Sequence, residues 1–165
     1  MPFTSEELRE HHDRSRFDSG NADIDRWLRD HALHASAMNT GRTFVWHAGD
    51  GLVVAYFTLA AHLVSKEAVP RSVGRGSPSV IPAILLARLA LDRSEHGRGL
   101  GAELLWDALS RAVAANRQAA ARLVVVDAAD AAAASFYRHF GFEPIPGHPN
   151  RLIQKLSSIE AALGG

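Results

Sequence analysis

The sequence predicts one domain of the α/β or α+β class with mixed strand pairing. Three observations carry this. Two β-branched and aromatic runs flank a Gly-Asp-Gly turn at residues 49–51. A nearly all-apolar run, 83–92, passes through a glycine-punctuated turn into a helical period. Further on, a short continuous apolar run is followed by a second helical period and a last strand-like stretch. Strands that alternate with helices in this way build a layered sheet-and-helix domain.

The elements follow in order. Residues 1–19 are charged and mixed. From Asn21, a good N-cap residue, Ile24, Trp27, Leu28, Ala35 and Met38 form one apolar stripe, which predicts a helix that Gly41 stops. "RTFVWHAGDGLVVAYFTLAAH" predicts a β-hairpin. Residues 65–82, rich in Pro, Gly and Ser, predict a long loop. "AILLARLALD" is a strand broken in polarity only by Arg88. The helix expected over 99–115 places Leu104, Leu105, Ala108, Leu109, Ala112 and Val113 on one face. "RLVVVDA" has the composition of a strand buried on both faces. "DAAAASFYRHFGF" is a helix ended by Gly141, "RLIQKL" is the last strand, and 157–165 is expected to fray.

Composition narrows the function. The 165 residues suit one domain with a real core. Lys+Arg and Asp+Glu are 18 each, so the formal net charge is zero, which argues against a uniformly basic nucleic-acid binder but leaves room for a local basic patch. With no cysteine there is no disulfide, thiolate ligand or Cys nucleophile. The polar start lacks a secretory core, and no run approaches the roughly 20 apolar residues a membrane span needs. A soluble, cytoplasmic protein without membrane contact is expected.

"RLALDRSEHGRGLGAELL", residues 88–105, carries the chemistry. A strand leads into a helix through Gly97, Gly99 and Gly101. The first N–H groups of a helix lack internal partners and lie at the positive end of its dipole. Glycines let an anion approach them, which suits a phosphate or pyrophosphate, and Arg93 and Arg98 flank the turn. A Walker loop needs Gly-Lys-Ser/Thr, whereas Gly101 precedes Ala102 and Glu103. The G-x-G-x-G spacing also misses the dinucleotide fingerprint. "HGRGLG" resembles the acetyl-coenzyme A loop of the GNAT acetyltransferase superfamily, whose pattern is Arg/Gln-x-x-Gly-x-Gly/Ala. It departs from that pattern at His96. "ASFYRHFGF", with the Ala133 that precedes it, resembles the Ala-x-x-x-Tyr-x-x-x-Gly-Phe signature that follows in GNAT domains after a helix, a strand and a helix.

This resemblance implies a single GNAT domain over residues 1–165, with a central mixed, mostly antiparallel sheet flanked by helices, and acetyl-CoA as cosubstrate. It implies that backbone groups of Leu89, Ala90 and Leu91 pair with the thioester oxygen and pantetheine, and that His96, Gly97, Arg98, Gly99, Leu100, Gly101 and Ala102 cradle the pyrophosphate. Tyr137, one of two tyrosines, would give a proton to the leaving thiolate. Without a Cys nucleophile, direct attack by a bound amine in a ternary complex is expected. No general base stands out: Glu67, Asp92, Glu95 and His62 are the candidates.

Within the superfamily, "RFDSGNADIDRWLRDHA", "RTFV", "VVAYFTLA" and "SFYRHFGFEPIPGHPNRLIQKL", with the segments above, resemble the GNAT toxins of bacterial toxin–antitoxin pairs over roughly residues 16–156. That implies acetylation of the α-amine of aminoacyl-tRNA, a translation block, a ribbon-helix-helix antitoxin through which alone DNA is bound, and a homodimer. The alternative is a GNAT enzyme acting on a small amine or a protein N-terminus. Arg88, Arg71 and Arg75 are the candidates for acceptor contact, Arg88 being expected either to pair with an acid or to turn into the acceptor cleft. Lys66, Arg14, Arg16, Arg26, Arg29 and Arg42 are further basic side chains. The nine histidines show no metal-ligand spacing; His11 and His12 fall in a segment expected to be mobile, and no metal is expected.

Overall fold

The computed structural model describes residues 2–164. Two compact units divide the chain, Met1–Ala60 with Arg88–Ala108, and Ala61–Ala87 with Leu109–Gly165. Seven strands lie in one sheet in the order β1-β2-β3-β4-β5-β7-β6.

In the first unit, β1 (Thr4–Glu7) pairs antiparallel with β2 (Arg42–His47), and β2 with β3 (Ala55–Ser65), Trp46 lying opposite Ala55. The hairpin loop turns at Gly49 (φ 101°) and Gly51 (φ 77°), as the Gly-Asp-Gly signal predicts. The charged opening segment hides β1, an edge strand whose sequence, TSEE, carries no apolar alternation. The helix expected over 21–41 divides into α1 (Ala22–Asp30) and α2 (Ala32–Ala37), because His31, at φ −126°, leaves the helical range. Asn21 caps α1, its side chain accepting from the Asp23 and Ile24 amides at 3.1 and 3.2 Å. The helical segment ends at Asn39 (φ 57°), with the Thr40 amide bonded back to the Ala35 carbonyl at 2.9 Å. Gly41 is therefore not the stop; a Cβ there would lie 3.1 Å from Thr58 Cγ2, so it serves close packing. Leu8, Phe17, Leu28, Ala32, Val45, Val53, Tyr56 and Ala90 form this unit's core.

In the second unit, β4 (Val80–Leu91) contributes its first residues to a parallel pair with β5 (Leu123–Asp127), from Ala83 beside Leu123 to Leu86 beside Val126. β7 (His148–Lys155) pairs antiparallel with β5 and with the short β6 (Glu143–Ile145), which bulges at Pro144 and Ile145. Leu123, Val124, Val125 and Val126 are fully buried, the both-face burial their composition implies. The 65–82 stretch is not a bare loop. It holds a 3-10 turn (Lys66–Ala68) and a single turn, α3 (Arg71–Gly74), that bury Val69 and Val73 against Ile81, Leu123 and Ile153.

The glycine-entered helix α4 runs Leu100–Gln118 and buries all six residues predicted for its apolar face. α5 (Ala131–His139) starts at its cap Asp130 and is followed by Gly141 in the left-handed region (φ 95°). The expected frayed tail is instead α6 (Leu156–Gly164). Leu156 and Ile159 are buried at the i, i+3 spacing of one helical face, and Gly165 lies outside the described residues.

Candidate functional site

The turn between β4 and α4 is held by its own side chains. Asp92 ends the strand. One of its carboxylate oxygens accepts from the Asp18 amide at 2.9 Å, the other from the amide and hydroxyl of Ser94 at 3.0 and 2.7 Å. Burial alone would raise the Asp92 pKa, but these hydrogen bonds outweigh it and hold the carboxyl below its ordinary value. Residues Arg93–Glu95 form a 3-10 turn. His96 Nε2 donates to the Leu91 carbonyl at 2.7 Å, folding the turn back onto the end of its strand. The departure from Arg or Gln at His96 thus has a structural use in the loop.

Gly97 (φ 78°) and Gly99 (φ 73°) adopt left-handed backbone, and a Cβ on either would meet no heavy atom within 4 Å. These glycines border open space at the positive end of a 19-residue helix, which fits a cosubstrate pyrophosphate. Gly101 is already in the first turn of α4, with Leu100 buried and Ala102 half-buried. The flanking arginines are committed elsewhere: Arg93 pairs with Asp18 at 3.2 Å, and Arg98 with Glu95. Leu89 and Leu91 are half-buried and Ala90 is buried. The Leu91 carbonyl already accepts from His96.

Arg88 does not pair with an acid. Among the described residues no carboxylate lies within ion-pair distance of it. Its guanidinium stands 3.8 Å over the Trp27 ring, which stacks in turn on Tyr56. Burial holds Arg88 below the ordinary guanidinium pKa. Arg14 donates to the Leu28 and Arg29 carbonyls at the end of α1, Arg26 pairs with Asp23, and Arg42 contacts Glu7, Ser36 and Asn39. These three serve the fold.

In the second unit, Tyr137 on α5 is buried with its ring edge-on to Phe136 and Phe142, at 5.4 and 5.8 Å between centroids. Burial drives its phenol pKa far up, so the proton is retained at neutral pH. Among the described residues its hydroxyl has no hydrogen-bond partner. Arg71 and Arg75 are exposed at the two ends of α3. A cavity of about 560 Å³ in the same unit is lined by His62, Asp127, His148, Asn150 and Arg151 on its polar side. Arg151 grips Asp127 with two parallel bonds of 2.7 and 2.9 Å. The sequence named His62; the Asp127–Arg151 fork arises from the β5–β7 register, which nothing local encodes.

His12 is not on a mobile segment: it is buried with His47, both Nε2 atoms reaching the same Glu6 oxygen at 2.7 and 2.6 Å. Each Nδ1 accepts a backbone amide, from Arg9 (2.8 Å) and Gly49 (3.0 Å), so each Nε2 carries the hydrogen. Glu6, His11 and His12 come close enough to hold a metal ion, but His12 would have to give up this tautomer to ligate one.

Residues 39–144 match the model of the acetyltransferase (GNAT) domain. The chain is 40% identical over 152 residues to a tRNA-acetylating toxin of Mycobacterium tuberculosis, covering 92% of this chain and 91% of that protein. It is 26% identical to a probable toxin TacT of Sinorhizobium fredii, covering 93% and 90%. Among solved structures it resembles AtaT complexed with acetyl-methionyl-tRNAfMet (TM-score 0.88, 29% identity, 97% and 98% covered) and AtaTR bound with acetyl-CoA (TM-score 0.85, 28% identity, 98% of each chain). A glycine turn that opens onto free space at a helix start, and a buried tyrosine with an uncommitted hydroxyl, agree with that match, and the chain belongs to the GNAT acetyltransferase family.

Proposed function

We propose that this acetyltransferase is the toxin of a toxin–antitoxin pair and moves acetyl from acetyl-CoA to the α-amine of the amino acid on charged tRNA, which removes that tRNA from translation. The observation that carries this is the 40% identity, over nearly the whole of both chains, to a tRNA-acetylating toxin. The likeness to AtaT bound to an acetylated aminoacyl-tRNA supports the same acceptor. We assign the activity to one GNAT domain spanning the chain.

The residues divide the work. Backbone groups of Leu89, Ala90 and Leu91 align the pantetheine arm. The turn from His96 to Ala102, above all the amides beside Gly97 and Gly99, binds pyrophosphate at the start of α4. The amine attacks the thioester directly, because the chain has no cysteine to carry an acyl group. Tyr137 supplies the proton the leaving sulfur needs. Arg88, Arg71 and Arg75 contact the acceptor, the exposed pair through phosphates.

A mutant AtaT has been solved with the C-terminus of the antitoxin AtaR, and KacTA with DNA. These support an antitoxin partner here, for which we assign a ribbon-helix-helix protein that alone brings the complex to DNA. A homodimer working in the cytoplasm completes the proposal; among the described residues no helix is long and apolar enough to cross a membrane.

Mass spectrometry of a charged tRNA pool after incubation with enzyme and acetyl-CoA tests the function. N-acetyl-aminoacyl-tRNA is expected, together with growth arrest on expression that Tyr137→Phe relieves. Unmodified charged tRNA beside rapid turnover of a small amine would replace this reading with a small-molecule acetyltransferase.

A further inference from the structure

As the amine forms its bond to the acetyl carbon, its nitrogen must shed a proton, and the reading above leaves that proton without an acceptor. The sequence offers Glu67, Asp92, Glu95 and His62, and the structure separates them. Asp92 has both carboxylate oxygens engaged in fixing the β4–α4 turn. Glu95 is paired with Arg98 in the same turn. Glu67 is exposed on its 3-10 turn and does not line the cavity. Of the four, His62 alone lines a cavity, of about 560 Å³, large enough for an amino-acid side chain with part of a ribose.

The setting of that cavity is chemical as well as spatial. It lies where β5 ends at Asp127, at the carboxyl end of the parallel β4–β5 pair, the place where open sheets that contain parallel strands receive ligands. Only residues 128–130 separate that end from α5, the helix that carries Tyr137. The groups facing His62 are Asp127 on β5 and Arg151 on β7, with His148 lining the same cavity. Burial, first, and the Arg151 charge, second, hold the imidazole below its ordinary pKa against the opposing pull of Asp127. The ring is therefore neutral at pH 7 and has a lone pair to offer. Asp127, fixed by the two bonds from Arg151, keeps a further lone pair on each oxygen that can orient an amine N–H. Leu63, Val64, Ala68 and Ile145 give the cavity an apolar wall.

We infer that this cavity holds the amino-acid end of the acceptor and that His62 is the general base, with Asp127 positioning the amine; this rests on the aminoacyl acceptor proposed above. The step balances. The nitrogen–carbonyl bond forms and the carbon–sulfur bond breaks. One proton passes from nitrogen to the His62 ring, and one passes from the Tyr137 hydroxyl to sulfur. Exchange with solvent then takes a proton from His62 and returns one to Tyr137.

The test compares wild type, His62→Gln, His62→Asn and Asp127→Asn, offering each a charged tRNA pool and, separately, a small aminoacyl ester, with kcat measured at saturating acceptor across pH. Wild-type kcat is expected to fall on the acid side with a midpoint below 6.5, the ordinary imidazole value. Both His62 variants are expected to lose about 100-fold in kcat and that acid limb, to keep the thermal shift given by acetyl-CoA, and to recover rate with added imidazole. Asp127→Asn is expected to raise KM for the acceptor and keep the limb. A His62 variant with wild-type kcat and an unchanged acid limb on an acceptor the enzyme uses overturns the inference. If wild type acts on the ester and not on charged tRNA, the tRNA reading fails while His62 is judged on the ester. Activity on neither overturns both.

Discussion

The two tyrosines of this chain occupy surroundings that look alike by burial and differ in one bond. Tyr56, on β3, is fully buried, stacks on Trp27 with centroids 6.4 Å apart, and has its phenol pKa driven far up by desolvation. Tyr137, on α5, is buried among phenylalanine edges and shifted the same way by the same cause. The Tyr56 hydroxyl, however, donates to the Ile24 carbonyl at 2.6 Å, whereas no protein group accepts from Tyr137 among the described residues. A raised pKa therefore does not tell the two apart. The uncommitted hydroxyl of Tyr137 does, and it fits the role proposed for that residue.

The sharpest way to break that comparison is to remove one hydroxyl at a time. Tyr137→Phe is expected to lower kcat by about 100-fold or more while the melting temperature holds, because only the departing thiolate loses a donor. Tyr56→Phe is expected to leave kcat unchanged and to destabilise by about 0.5–1.5 kcal/mol, the net worth of the one hydrogen bond it removes from the Ile24 carbonyl. At this chain length that is a drop of about 2–4 °C per kcal/mol. Kinetics and thermal melts on the two purified variants check both. A Tyr56→Phe variant that is stable and inactive would reverse the assignment.

A smaller effect is expected at the glycine turn. Gly99→Val forces a β-branched residue to φ 73° and is expected to cost about 1–3 kcal/mol of local strain. It also puts methyl groups where the anion approaches, so the thermal shift given by acetyl-CoA should shrink. Gly49→Val, equally strained at φ 101° in the β2–β3 loop, should lower stability and leave the acetyl-CoA shift intact. Equal loss of the shift in both would mean that strain, and not access to the backbone, governs binding.

The parts legible in the sequence are those encoded by neighbours in the chain. The α4 face, the buried β5 run, the Asn21 cap and the turn glycines all follow from local period or local backbone demand. α6 carried a usable signal, the spacing of Leu156 and Ile159, which the trailing glycines obscured. β1 was hidden because its partner β2 begins 35 residues after β1 ends and its own residues are polar. Within the candidate site, the glycine turn into α4 is local and readable. Tyr137 was singled out through its motif, and the structure adds the reason its proton is available. The Asp127–Arg151 fork and the placement of Arg88 on Trp27 needed tertiary structure, since each joins residues far apart in sequence.

The smallest expected effect extends the contrast between committed and uncommitted groups to a carboxylate. Glu6 accepts from His12 and His47 at once, and those two hydrogen bonds, in that order, hold its pKa below the ordinary 4.5 despite an opposing desolvation effect. A carboxyl depressed in the folded state contributes its stability fully above the unfolded pKa, and that contribution fades as pH falls through the folded one. Glu6→Gln keeps an acceptor oxygen for the two imidazoles and removes the charge. The variant should therefore melt slightly below wild type at pH 7, and the gap should close below pH 4.5 as wild-type Glu6 takes up its proton. Glu6 lies on β1, outside the glycine turn, the cavity and α5 that the proposed chemistry uses, so kcat should not move. Melts of both proteins from pH 7 down to pH 3, with kcat at pH 7, decide it; a gap that stays constant across that range would show that geometry, not charge, is what Glu6 contributes.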